Sequence, residues 1–177
     1  IRRPPRSTLS SSSAASDVYK RQLKNIKLSP IKDKEEVLLA RDLIIEPFLV
    51  PHRDEFSETV GYLINGELKS ALFLPDIDKW EKWDQDISKV IQHTDFALID
   101  GTFWDENELK NRKIDKIPHP TISESLELLG KKRFNDPEIY FIHLNHTNPL
   151  INKESDQYKL VRSKGYNVAE EGMKLKL

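Results

Sequence analysis

Cysteine is absent from the 177 residues, methionine occurs once and glycine six times. Without cysteine there is neither a disulfide framework nor a thiolate metal site, so any metal must be held by His, Asp, Glu or carbonyl groups. No apolar run approaches the roughly 20 residues of a membrane-spanning helix, and no charged-then-apolar leader opens the chain. These absences suit a globular domain in a reducing compartment, and the cytoplasm is the expected location. Charge, by contrast, is abundant. Asp, Glu, Lys and Arg make up 32% of the residues against 37% hydrophobic ones, enough for a core under a densely charged surface.

The stretch over residues 1–22, "IRRPPRSTLSSSSAASDVYKRQ", differs from the rest of the chain: a Ser run, clustered Arg and almost nothing apolar to bury. It resembles an in-frame translation of a sequencing adapter, so a disordered, non-native segment is expected there; a basic disordered arm is the competing reading. The domain is expected over residues 23–177. Residues 1–22 carry five basic side chains and one acid, which leaves the body with 23 basic and 28 acidic residues and a formal charge of −5. An acidic body lacks the basic footprint of nucleic-acid binding, which argues against nucleic acid as a partner.

Along the body, "LKNIKLSPI" alternates like a half-buried strand, and "DKEEVLLARDL" reads as a short helix or turn before the apolar "IIEPFLVP". Two β-rich runs around Asn65-Gly66 predict a hairpin with a tight turn. In "KWEKWDQDISKVIQHT" the positions Trp80, Trp83, Ile87, Val90 and Ile91 fall on one helical stripe, which makes the two tryptophans core residues. "DFALID" predicts a buried strand and "TISESLELLG" a helix capped by Thr121 and Gly130. "EIYFIH" predicts a core strand, "KESDQYKLVRSKG" a helix closed by Gly165, and "YNVAEEGMKLKL" a terminal strand. Alternating strands and helices with hairpins in the first half give an α/β class with mixed sheets.

The informative pattern is where the strands end. "FLVPH" ends at His52, "FALID" at Asp100 and "YFIH" at His143, so three apolar strands each release an imidazole or carboxylate at the carboxyl edge, where α/β proteins place ligands. Three convergent N and O donors suit Zn, Mn or Fe. Singly, a His after a strand is more often an ordinary hydrogen-bonded residue and an Asp before Gly a turn former; together they point to a metal.

The segments "PFLVPHRDEFSETVGYLI", "ALIDGTFW", "IPHPTISESLELL" and "FIHLNHTNPL" resemble, in the same order, the carboxyl-terminal half of the metallo-β-lactamase-fold proteins related to coenzyme PQQ synthesis protein B. The resemblance implies a four-layer αββα sandwich with a metal centre at one edge, of which this chain would be the carboxyl-terminal half. It implies His52, Asp100 and His143 as metal ligands and His119 as a histidine near substrate that assists proton transfer, although Pro118 stands where related hydrolases have Gly. It also implies that Asn145, His146 and Asn148 form the turn that supports His143, with Asn145 on the same pleat face as His143 and His146 pointing away. Thr102 reads either as a hydrogen-bonding residue around Asp100 or as one that satisfies a turn. Arg53, Asp54 and Glu55 read as a solvated charged loop, and His93 as a surface residue.

No segment resembles the HxHxDH-like loop from which enzymes of this fold take their first ligands; that motif is expected upstream of Leu23. Without it a dinuclear centre would not assemble, and one metal would be held weakly. A half-sandwich would expose apolar faces and sheet edges, so poor stability or self-association is expected, with a homo-oligomer left open. The resemblance implies a metal-dependent hydrolase or oxygenase acting on a small molecule or modified peptide, linked to tailoring of a PQQ precursor, with the fragment itself inactive. The competing readings are a ribonuclease Z-like phosphodiesterase and a non-catalytic binding or assembly protein.

Overall fold

Seven strands form one sheet in the order in which they occur in the chain, from β1 to β7. The computed structural model describes residues 29–53, 57–108 and 117–177, and residues 32–177 form one compact unit. The expected non-native segment over residues 1–22, most of the first expected strand, and Asp54 and Glu55 lie outside the described residues.

Strands β1 (Val37–Ala40), β2 (Leu43–Val50), β3 (Thr59–Asn65) and β4 (Ser70–Leu74) pair antiparallel. From β4 onward the pairing is parallel, through β5 (Phe96–Asp100), β6 (Glu138–Ile142) and β7 (Asn167–Val168). Each parallel step needs a crossover. Helix α1 (Ile87–Ile91) lies between β4 and β5, α2 (Ile122–Leu129) between β5 and β6, and α3 (Asp156–Ser163) between β6 and β7.

The helices cover one face of the sheet. Leu72, Leu74, Ala97, Ile99, Ile139 and Phe141 alternate along β4 to β6 at 0–2% exposure, and they share one core with Ile87, Ile91, Ile122, Leu126 and Val161 from the helices. Each Leu, Ile, Val or Phe side chain among them contributes about 1.5–3 kcal/mol. On the other face the cross-strand row Tyr62, Phe73, Leu98 and Tyr140 is half-buried. The sheet and its one helical layer belong to the expected α/β architecture. Among the described residues there is no second sheet.

Four local expectations are corrected. Of the helix or turn expected over "DKEEVLLARDL", turns are present at residues 33–34 and 41–42 and no helix is; between them lies the edge strand β1, recruited by pairing with β2 despite exposed Leu38 and Leu39, and tertiary pairing overrides the helical composition. The hairpin at Asn65-Gly66 has a four-residue loop rather than a two-residue turn, since Asn65 pairs with Ser70 and the Gly66 N–H donates to the Lys69 carbonyl. The helix expected over Lys79 to Thr94 divides into a 3-10 turn at Trp80–Lys82 and α1, whose N-cap Asp86 accepts from the Ser88 N–H. Trp80, Trp83, Ile87 and Ile91 of its apolar stripe are nevertheless buried, and Val90 is partly so. The terminal strand is only two residues long.

Helix α2 carries the caps expected of it. The Thr121 side chain accepts from the Glu124 N–H, Glu124 accepts from the Thr121 N–H, and Gly130 closes the helix at φ +71°. At the end of α3, Gly165 takes φ +91°, and the following Tyr166 is buried, its hydroxyl donating to the Gly130 carbonyl at 2.9 Å. Burial pushes that phenol up to about 12.

Candidate metal centre

Antiparallel pairing of β2 with β3 and of β3 with β4 makes β2 parallel to β4, so β2, β4, β5 and β6 all end at one edge of the sheet. Two of them stop in the same way. Val50-Pro51-His52 and Leu74-Pro75-Asp76 each place a proline, which cannot donate to a ladder, directly after the strand and a potential ligand one residue later. Strand β5 ends on Asp100 itself. Gly101 follows because a Cβ there would sit 2.9 Å from the Phe141 Cβ and 3.1 Å from the Ile142 carbonyl oxygen. One residue beyond β6, His143 adopts φ +61°, a left-handed conformation uncommon for a residue with a side chain.

His119 comes from the loop before α2. That loop is fixed to the segment after β5 by the Ile122 N–H on the Phe103 carbonyl and the Ser123 N–H on the Trp104 carbonyl, at 2.9 and 3.0 Å. It is also fixed to the segment after β4, because the Lys79 Nζ donates to both Glu124 carboxylate oxygens at 2.8 and 2.9 Å. Burial opposes ionisation of Glu124, but the bonds from Lys79 and the Thr121 N–H outweigh it and hold the carboxyl below its ordinary range. Asp78 behaves alike, burial being outweighed by Lys82 and the Lys79 N–H.

Asp100, fully buried, is the hub. Its Oδ1 accepts from the Thr102 N–H at 2.8 Å and the Thr102 hydroxyl at 2.7 Å; its Oδ2 accepts from the Ile77 N–H at 3.3 Å and lies 2.8 Å from the His119 Nδ1. The Thr102 Oγ1 is also 3.0 Å from the His143 Nδ1. A hydroxyl has one hydrogen to give. With it on Asp100, Thr102 accepts from the His143 Nδ1–H, which leaves the Nε2 of His143 as its lone-pair nitrogen.

Asp76, Asp100, His119 and His143 each present one donor atom, all within 4.8 Å of one another. His52 adjoins this group, its Nε2 2.9 Å from the Asp76 Oδ1, which is 3.4 Å from the His119 Nδ1. Both the His52 Nε2 and the Asp76 Oδ1 are buried without a hydrogen-bond partner. Donor atoms this close, in an all-imidazole and carboxylate set, fit a divalent cation. With neutral imidazoles, the two carboxylates match its charge.

The structure thus brings together His52, Asp100, His119 and His143, with Thr102 hydrogen-bonded to Asp100. His119, expected beside substrate, lies among the donor atoms. Asn145 differs from the expectation: its side chain donates to the Thr147 hydroxyl at 2.6 Å and to Glu108 at 3.4 Å, and it braces the site through its backbone N–H on the Thr102 carbonyl. Period-two facing does not extend past Ile142, because the left-handed turn at His143 ends the pleat. His146 is exposed, as is His93. The buried Asn148 fastens the two strand-end loops, its Nδ2 donating to the Gly101 and Thr102 carbonyls at 2.8 and 3.1 Å. Asp76 is absent from the expected set, although "LFLPD" ends just as "FLVPH" does.

Comparison with known proteins agrees with this geometry. The family model for the beta-lactamase superfamily domain matches residues 5–144. Coenzyme PQQ synthesis protein B of Acinetobacter baumannii (strain SDF) is 32% identical over 137 residues, 72% of this chain and 44% of the relative. The protein of the same name from Methylococcus capsulatus is 27% identical over 136 residues, 72% of this chain and 42% of the relative. The chain therefore spans less than half the length of these curated relatives. The crystal structure of Zn(2+)-bound PqqB from Methylobacterium extorquens superposes with a TM-score of 0.73 at 24% identity, covering 93% of this chain and 59% of that one. An isothiocyanate hydrolase from Delia radicum gut bacteria superposes with a TM-score of 0.54 at 12% identity, covering 86% of this chain and 58% of that one. Among the described residues no helix is long and apolar enough to cross a membrane. The chain belongs to the beta-lactamase superfamily, as a PqqB-like protein of the metallo-β-lactamase fold.

Proposed function

We propose that this chain carries one side of the metal centre of a PqqB-like hydrolase or oxygenase, whose substrate is a small molecule or modified peptide and whose setting is pyrroloquinoline quinone biosynthesis in the cytoplasm. The observation that carries the reading is the convergence of four donor residues within 4.8 Å at the carboxyl edge of the parallel strands. In this reading Asp100 and His143 hold the metal, with His52 beside them. A bound Zn or Mn supplies Lewis acidity toward a carbonyl or phosphoryl group, and bound Fe supplies dioxygen chemistry.

The chain's own residues then have distinct tasks. Thr102 holds Asp100 and fixes the tautomer of His143. Asp100 orients His119 through its Nδ1, so that the Nε2 of His119 is the nitrogen able to take or give a proton to substrate. Asn148 keeps the loops after β5 and β6 together. The acidic body favours a small or peptide substrate over RNA.

The test is elemental analysis of the purified chain after loading with Zn, Mn or Fe, beside the His143→Ala and Asp100→Ala variants. Metal retained by the parent chain and lost from both variants is the expected result. Equal, negligible metal in all three overturns the reading.

A further inference from the structure

His119 stands between two prolines, Pro118 and Pro120. The Pro120 ring fixes its own φ and keeps the preceding His119 in the extended region, and Pro120 is fully buried. Thr121 then enters the capping box with Glu124 and bridges Phe103. Between His119 and Glu124 the chain therefore has little freedom left, and a displacement at Glu124 moves the imidazole.

The Glu124 end is tied to a different strand end. Lys79, on the loop after β4, donates from Nζ to both carboxylate oxygens of Glu124 at 2.9 and 2.8 Å, and the neighbouring Trp80 Nε1–H donates to the Ser125 hydroxyl at 3.0 Å. At its base that loop is anchored beside the site: the Ile77 N–H donates to the Asp100 carboxylate at 3.3 Å, and the Asp78 N–H to the Pro51 carbonyl at 2.7 Å. The same Asp100 carboxylate lies 2.8 Å from the His119 Nδ1. The connections close a ring from Asp100 through Ile77, Lys79, Glu124 and Pro120 to His119, and back to Asp100.

Stability alone does not call for a charge at Lys79. Its side chain is 11% exposed, so the ammonium has given up most of its hydration, and an apolar chain of similar length would fill the space at lower desolvation cost. The capping box closes the first turn of α2 without it. What the ammonium adds is direction: it draws the Glu124 carboxylate, and the turn behind it, to a fixed distance from the loop after β4.

We propose that Lys79 is a positioning residue for His119, acting through Glu124 to set the place of the imidazole against Asp100. The inference rests on the task given to His119 in the proposed function, and it names the part of the chain that keeps His119 there.

The test is the rate at which diethyl pyrocarbonate carbethoxylates His119 in the metal-free whole chain, read by peptide mass spectrometry with exposed His93 and His146 as internal controls. Lys79→Met is expected to raise the His119 rate several-fold through local opening, while both controls keep theirs. Lys79→Arg, whose planar fork also meets a carboxylate with two N–H groups, is expected to keep the parental rate. Lys82→Met, which removes the exposed partner of Asp78, is expected to leave it unchanged. If Lys79→Met does not fold by far-UV circular dichroism, Glu124→Gln takes its place, since it keeps an acceptor for the Thr121 N–H and loses the charge. The visible band of the Co(II)-loaded chain is the second readout, expected to shift in Lys79→Met and to return in Lys79→Arg. A parental His119 rate in Lys79→Met and Glu124→Gln overturns the positioning role. So does a Co(II) band that stays parental while the rate rises, because the pair then braces the loop without setting the site. A parent chain that binds no Co(II) overturns the metal-centre reading alone and leaves carbethoxylation to decide the role of Lys79.

Discussion

The two halves of the sheet use their strands differently. In the parallel half, β4 to β7, every strand points the same way, each return passes through a helix, and the ends of β4, β5 and β6 lie side by side with Asp76, Asp100 and His143 on them. In the antiparallel half, β1 to β3, alternate strands point away, and only β2 delivers a site residue, His52. Burial follows the same division. The helix-covered positions of β4 to β6 are closed to solvent, whereas β1 exposes Leu38 and Leu39 to 66% and 58%. Parallel topology obliges the chain to build both a covering layer and a common edge, and the candidate site is a product of that obligation.

The sharpest way to break this comparison is to empty the parallel core. Phe141 is fully buried between β5, β7 and the helices, against Tyr166 at a ring separation of 6.0 Å. Phe141→Ala is expected to cost about 3–5 kcal/mol, measured as a lowered urea midpoint with unchanged slope. A cost near 1 kcal/mol would mean that this half is no better packed than the other.

The antiparallel half reaches the core through Phe48 and Val50 of β2. Phe48 stacks on Trp83 at 5.8 Å, and its ring lies over Gly61, where a Cβ would fall 2.4 Å from the Phe48 Cζ. Gly61→Ala is therefore expected to force Phe48 off Trp83 and to cost about 1–3 kcal/mol, seen as a change in tryptophan emission together with a lowered urea midpoint. Unchanged fluorescence at full stability would show that the ring is free to move and that the hairpin does not depend on this contact.

Much of this is legible in the sequence, and the misses have physical causes. Strands β5 and β6 and helix α2 can be read directly because local signals and tertiary demand agree: unbroken apolar runs for strands buried under helices, and a capping box with a terminal glycine. β1 reads wrongly because its residues "KEEVLLA" have helical composition and only the partner strand makes them extended. At the site, Asp100 and His143 stand out as polar residues ending apolar runs. Asp76 ends such a run too, but "LFLPDI" reads as the second arm of a hairpin, and the parallel pairing of β4 with β5 that turns its end toward the site is not a local property. Asn148 shows the converse, since its buried bonds to the Gly101 and Thr102 carbonyls span 47 and 46 residues.

Acidification should act more gently, and mainly on the parallel half. A hydrogen bond from Lys132 lowers the carboxyl of Glu138 at the start of β6, burial opposing it, and Asn167 of β7 adds a second bond. A carboxyl lowered in the native state contributes stability above its ordinary value, and loses that contribution as pH falls through the native one. Urea midpoints should thus decline as pH falls from about 5 to 3, with a smaller decline in Glu138→Gln. Equal slopes in the two proteins would remove Glu138 from the account.

The smallest effect belongs to the edge strand. Leu38 pairs through its backbone with Ile44, yet its side chain is two-thirds exposed. Leu38→Ser removes little buried area and keeps the ladder, so unfolding free energy should change by no more than about 0.5 kcal/mol. An exposed apolar edge is also a template for pairing with another chain, so the same substitution is expected to reduce any concentration-dependent association seen by analytical ultracentrifugation. A stability loss above about 1 kcal/mol would mean that Leu38 is covered in solution, and the contrast between a sealed parallel half and an open antiparallel edge would then have to be abandoned.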